Sequence, residues 1–272
     1  MTFSTGTATA TSSRGPAVGL AVQFVLLAGI AGTAGLTVAG WLAGAAYGIV
    51  LCGLLAVGLR RAGMAAMGPA NQVTFARALM VGGVTAMVVS SLERPAHQAG
   101  LVTLIGVALA LDGVDGQVAR RTGSSSKLGA RFDMEIDAFL ILVLSVFVAG
   151  TFGWWTVAIG AYRYVFVAAS WALPWLTVPL PPRFSRKVVA AVQGVVLVVV
   201  TAHLLPEPVA LVAVAAALAS LTWSFGRDTA WLWRTERIRR AVAARTSLPI
   251  VPRQRFATLD RKPLRREPAS VS

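Results

Sequence analysis

Long apolar runs separated by short polar breaks set the pattern of this chain. The first two occupy about 17–36 and 39–59, joined by a very tight turn and closed by Arg60 and Arg61. A third starts near Asn71, just after the helix-starting Pro69, and ends near Ser90. Further runs cover about 99–119, 131–150, Trp154 to about Trp175, and 187–204; after a break at Pro206 the last reaches about Phe225. A helix crosses a bilayer with about 20 apolar residues. The pattern therefore predicts an all-α polytopic membrane protein of about eight transmembrane helices.

The flanks complete this division. Residues 1–15 are rich in Thr, Ser, Gly and Ala and read as a disordered N-terminus. A signal peptide is the rival reading of the first run. It lacks a charged leading region apart from Arg14, and a second apolar run follows almost at once. Residues 16–61 are then two membrane helices, 69–226 a six-helix core and 227–272 a basic tail.

Composition agrees: 56% of the 272 residues are hydrophobic and 13% charged, against about 25% charged in soluble domains. The net charge of +14 raises the question of nucleic acid, but its distribution points elsewhere. From Arg227 onward there are twelve Lys/Arg against four Asp/Glu, so much of the excess is in the tail. A basic segment just past a membrane span suits anionic lipid headgroups. If the polar end of the fourth and fifth runs is cytoplasmic, 23 of the 25 cations fall on that side, with Arg94 outside and Arg163 within the membrane. The excess of cations on the cytoplasmic side predicts a multi-pass protein of the cell membrane with both termini inside. The single cysteine, Cys52, excludes a disulfide framework and a Cys-based metal site.

The polar exception lies between the fourth and fifth runs. Of six aspartates in the chain, four fall there: Asp112, Asp115, Asp133 and Asp137. Residues three and four apart share a helix face, which groups Asp112, Asp115, Gly116 and Ala119 on one stripe and Gly129, Asp133 and Asp137 on another. Two facing helices would direct four carboxylates to one point, beside small residues that admit a bulky ligand. Carboxylates that close repel unless divalent cations hold them. Oxygen-only ligands suit Mg²⁺ or Mn²⁺. A structural role is the bland alternative, but charges inside membrane spans are costly and usually functional.

The spacing D-x-x-D-G-x-x-A-R, eight residues, G-x-x-x-D-x-x-x-D is carried by Asp112, Asp115, Gly116, Ala119, Arg120, Gly129, Asp133 and Asp137. It resembles the signature of the CDP-alcohol phosphotransferase (phosphatidyltransferase) family of integral membrane enzymes. Similarity extends to Asn71, Thr74 and Arg77, which lie along one side of the third run, and to Lys187 and Gln193 in the seventh. The resemblance covers about 69–226 and leaves the first two helices as an addition. It implies transfer of a phosphoalcohol group, usually phosphatidyl, from a CDP-linked lipid donor to an acceptor alcohol with release of CMP. It further implies two Mg²⁺ or Mn²⁺ ions, a homodimer among membrane lipids, and no nucleic acid.

Carried over by position, Asp112, Asp115 and Asp133 would hold metal, and Asp137, within the same acidic group, would be the general base. Gly116, Ala119, Arg120 and Gly129 would serve the nucleotide, as would Asn71, Thr74 and Arg77, although helix capping and interfacial anchoring also explain those three. Arg163 and Lys187 are candidates for the acceptor, against simple ion pairing and positive-inside anchoring. Glu135 lies off the aspartate face and is expected to pair with Arg131 four residues away. A membrane prenyltransferase is an alternative, but it would need a second Asp-rich cluster. A carboxylate-lined ion transporter is another, yet it gives no reason for the fixed glycines, alanine and arginine. Glycerol 3-phosphate, inositol phosphate, phosphatidylglycerol and serine would all meet this signature as acceptors.

Overall fold

The computed structural model describes residues 14–63, 68–122, 127–181 and 183–246. Eight α-helices follow one another: α1 (Arg14–Thr33), α2 (Val38–Arg61), α3 (Pro69–Ser91), α4 (Gln98–Thr122), α5 (Lys127–Phe152), α6 (Ala158–Ala172), α7 (Phe184–Thr201) and α8 (Glu207–Thr246). No strand occurs among the described residues. The all-helical membrane architecture expected from the apolar pattern is present, with helix ends mostly within a few residues of the run ends. Residues 1–13 and 247–272, which hold most of the expected N-terminal disorder and the end of the basic tail, lie outside the described residues.

Local chemistry sets several of these ends. Pro69 occupies the start of α3, where its missing N–H would have had no helical partner. Thr37 caps α2: its hydroxyl accepts from the Gly40 N–H at 3.2 Å, and its own N–H donates to Ser90 Oγ at 3.1 Å. That second bond ties the α1–α2 turn to the end of α3. Pro206 offers its carbonyl to the N–H groups of Val209 and Ala210, both at 2.9 Å, and so starts α8.

Among the described residues six helices are long and apolar enough to cross a membrane, and the 15-residue α6 is too short to do so. In α4 the described apolar stretch is Gln98–Val114, with Asp112 inside its last turn. The sixth run is not one helix: 3-10 turns at Trp154–Val157 and Pro174–Thr177 bracket a 15-residue α6. Pro174 has no N–H to continue the helical ladder. At its other extreme α8 is 40 residues long, or about 60 Å at 1.5 Å per residue, roughly twice the hydrocarbon thickness of a bilayer. It passes the expected end at Phe225 without a break.

Helix α3 is the centre of the packing. Of its apolar stretch 78% is buried, against at most 39% for the other five membrane-length helices. It contacts α1, α2, α4 and α5. On the other side of α5, Gly160 lets α6 approach closely: a Cβ there would lie 2.2 Å from Leu142 Cα. Helices α6 and α8 meet through Phe225, against which Tyr162 and Phe166 pack with ring centroids 5.3 and 5.6 Å away.

Candidate active site

The start of α3, the end of α4 and the start of α5 come together at one end of the bundle. Along α3, Asn71, Thr74 and Arg77 share a face by their three-residue spacing and are all buried. Asp112 projects from α4, and Asp133 and Asp137 from successive turns of α5. One carboxylate oxygen from each of these three lies within 4.8 Å of the others. The juxtaposition expected from helical spacing is therefore present for three of the four aspartates. Asp115, Gly116, Ala119 and Arg120 belong to α4, but their side chains lie outside the described residues.

At that separation two carboxylates repel by roughly 3.5 kcal/mol at an effective dielectric of 20. Arg77 supplies the nearest compensation. Its side chain is only 2% exposed, and its guanidinium pairs with Asp112, with Asp133 and, at 3.2 Å, with Asp137. The aspartates are partly open to solvent while their counter-charge is held inside the protein. Among the described residues one guanidinium stands against three carboxylates, an anionic balance. Anionic, oxygen-only and partly accessible, the cluster fits a hard divalent cation.

Beside this cluster lies a cavity of about 780 Å³ between α5, α6, α7 and α8. Met134, next to Asp133, forms part of its wall, and Arg163, Arg183, Arg186 and Lys187 bring four cations to it against one carboxylate, Asp228. The two acceptor candidates, Arg163 and Lys187, thus line the same space. Arg163 donates to Glu135 through Nε at 3.3 Å and also through Nη2. Glu135 accordingly takes its partner from α6 rather than from Arg131 on its own helix. The close α5–α6 approach brings the longer-range partner within reach.

Asp228 is a site residue that the sequence reading placed in the tail. It is buried, and its two oxygens each lie 3.7 Å from an arginine, Arg186 and Arg227. A carboxylate at the edge of an apolar run was the available signal, since such groups seldom stay without a partner there. A larger groove of about 990 Å³ runs along α8 past Trp155 and Trp223. Apart from Arg227 its lining is uncharged, so the ionic chemistry belongs to the smaller cavity.

The site is thus a carboxylate cluster that could hold a metal ion, beside a cationic cavity, in an all-helical membrane bundle. The chain belongs to the CDP-alcohol phosphatidyltransferase family, whose sequence profile matches residues 67–224, more than half of its length. Comparisons with curated proteins and with solved structures give no match. Members of the family transfer a phosphoalcohol group from a CDP-alcohol donor to an alcohol acceptor and use a divalent metal. Helices α1 and α2 and the end of α8 lie outside the match.

Proposed function

We propose that this protein transfers a phosphatidyl group from CDP-diacylglycerol to an acceptor alcohol that itself carries phosphate, on the cytoplasmic side of the cell membrane. The observation that carries this reading is the pairing of two opposite charge fields. A three-carboxylate cluster adjoins a cavity with four cations. The first suits a metal-bound pyrophosphate and the second an anionic acceptor.

In the reaction the acceptor oxygen bonds to the phosphorus that bears the lipid. The bond from that phosphorus to the oxygen of CMP breaks, CMP leaves with the electron pair, and the acceptor proton passes to Asp137. Two Mg²⁺ or Mn²⁺ ions held by Asp112, Asp115 and Asp133 would polarise the phosphorus and offset the charge on CMP. Arg77 holds the carboxylates of α4 and α5 in register. Asn71 and Thr74, with Gly116, Ala119, Arg120 and Gly129 by the family pattern, would serve the nucleotide. Arg163 and Lys187, joined by Arg183 and Arg186, receive the acceptor phosphate.

The test is CMP release by the purified protein in lipid nanodiscs, given CDP-diacylglycerol and a panel of acceptors. Release is expected only with a divalent ion, with phosphorylated acceptors well ahead of uncharged alcohols, and none from Asp133→Ala. Turnover that survives EDTA or Asp133→Ala would overturn the metal assignment. Equal use of uncharged polyols would overturn the acceptor class.

A further inference from the structure

The two helices ahead of the family core play no part in the chemistry above, yet α2 sends one side chain toward the catalytic half of the bundle. Tyr47 passes α3 at Gly82. A Cβ at Gly82 would sit 2.7 Å from Tyr47 Cδ1 and 2.5 Å from Gln23 Nε2, so the ring occupies space that any other residue would fill. Beyond this window the Tyr47 ring stacks on Phe139 of α5, with centroids 5.1 Å apart and planes 29° from parallel. Phe139 lies two residues past Asp137, about half a turn along the same helix.

Ordinary packing leaves part of this arrangement unexplained. The Tyr47 hydroxyl is buried and has no hydrogen-bond partner among the described residues, and neither has either amide atom of Gln23, which is fully buried. Burying unpaired polar groups is destabilising. A leucine at either position would fill space without that cost. What Tyr47 adds is a flat, rigid contact that reaches from α2 to the helix carrying two of the three clustered carboxylates.

We propose that Tyr47 is a positioning residue for the carboxylate cluster, through which the N-terminal hairpin braces α5 at Asp133 and Asp137. The kinetic part of this proposal rests on the transferase reading; the metal-binding part does not. The Tyr47–Phe139 contact is the link from the hairpin to α5, so its loss, rather than slack elsewhere in the hairpin, would let the carboxylate oxygens spread.

The experiment uses the full chain in nanodiscs and three variants: Tyr47→Leu, Tyr47→Phe and Leu27→Ala. Leu27 is fully buried in the hairpin and packs near Gly44 and Ala86, well along α3 from Arg77. Its variant serves as a packing control. Mn²⁺ affinity is read by electron paramagnetic resonance, and kcat and KM by CMP release. Tyr47→Leu should weaken Mn²⁺ binding and lower kcat by about tenfold each, with little change in donor KM, whereas Tyr47→Phe should stay within about twofold, as expected where the ring contact matters most. Leu27→Ala should lower the melting temperature and leave Mn²⁺ affinity unchanged. Tyr47→Leu that only lowers melting temperature, as Leu27→Ala does, would overturn the proposal, as would a wild type that binds no Mn²⁺. A wild type that binds Mn²⁺ but releases no CMP would instead overturn the transferase reading, leaving the Mn²⁺ comparison to decide the role of Tyr47.

Discussion

Replacing Arg77 with methionine isolates the electrostatics of the cluster. Methionine keeps much of the buried apolar stem, so the main loss is one positive charge among three carboxylates. Each bare pair repels by roughly 3.5 kcal/mol at an effective dielectric of 20. The three aspartate side chains are 45%, 37% and 52% exposed, and water screens most of that repulsion. The net cost without metal is then about 1–3 kcal/mol, in the range of a charged hydrogen bond. For a chain of this size that corresponds to a fall in melting temperature of about 2–12 °C. A divalent ion bound only by the folded state supplies about 2.7 kcal/mol at a hundred times its Kd, and it delivers charge to the same oxygens that Arg77 leaves. Mg²⁺ should therefore restore most of the lost stability and stabilise Arg77→Met more than the wild type. Tryptophan-fluorescence melting in nanodiscs, in EDTA and across a Mg²⁺ titration, reads this directly. Equal gains from Mg²⁺ in both proteins, or an unchanged melting temperature in EDTA, would refute the role of Arg77 as the internal counter-charge.

Three further outcomes follow from the same geometry. Asp137→Asn should keep CDP-lipid affinity near wild type while kcat falls by about 10²–10⁴-fold, the usual worth of a general base; steady-state kinetics beside nucleotide binding would show Asp137 to be a metal ligand first if both collapse together. Glu135→Gln should leave kcat nearly unchanged, because its pair with Arg163 is partly solvent-exposed and worth at most about 1 kcal/mol; kinetics with acceptor varied would reveal any larger role. Gly160→Ala should destabilise the protein by about 1–3 kcal/mol through overpacking, because its Cβ would meet backbone of α5 that cannot move alone; a thermal melt at wild-type stability would contradict the α5–α6 contact.

The parts of this protein that depend on spacing within one helix were legible in the sequence. Three- and four-residue intervals predict that Asp133 and Asp137 share a face and that Asn71, Thr74 and Arg77 lie along one side of α3, and the signature at 112–137 led to the family. Contacts between helices were less legible. The i,i+4 rule gave Arg131 as the partner of Glu135, whereas the close packing permitted at Gly160 delivers Arg163 from α6. Arg77 could be assigned to the nucleotide side by resemblance, but its engagement with carboxylates on two other helices depends on where α3 sits in the bundle.

Hydropathy misled at α8 for a related reason. It reports where the chain leaves an apolar solvent, and near Phe225 that change in residue character does occur. It does not report where a helix stops. The segment that follows is rich in Arg and Ala, both of which favour helix in water, and it contains neither proline nor glycine between Arg227 and Thr246. The ladder therefore continues, and with it the register that places Asp228 one turn after Ser224, both on the wall of the cationic cavity. A tail that began as loose chain at Arg227 could not hold Asp228 there. The charge balance of the proposed acceptor site thus depends on α8 remaining helical beyond the end of its apolar run, and on a carboxylate four residues past the end of the family match.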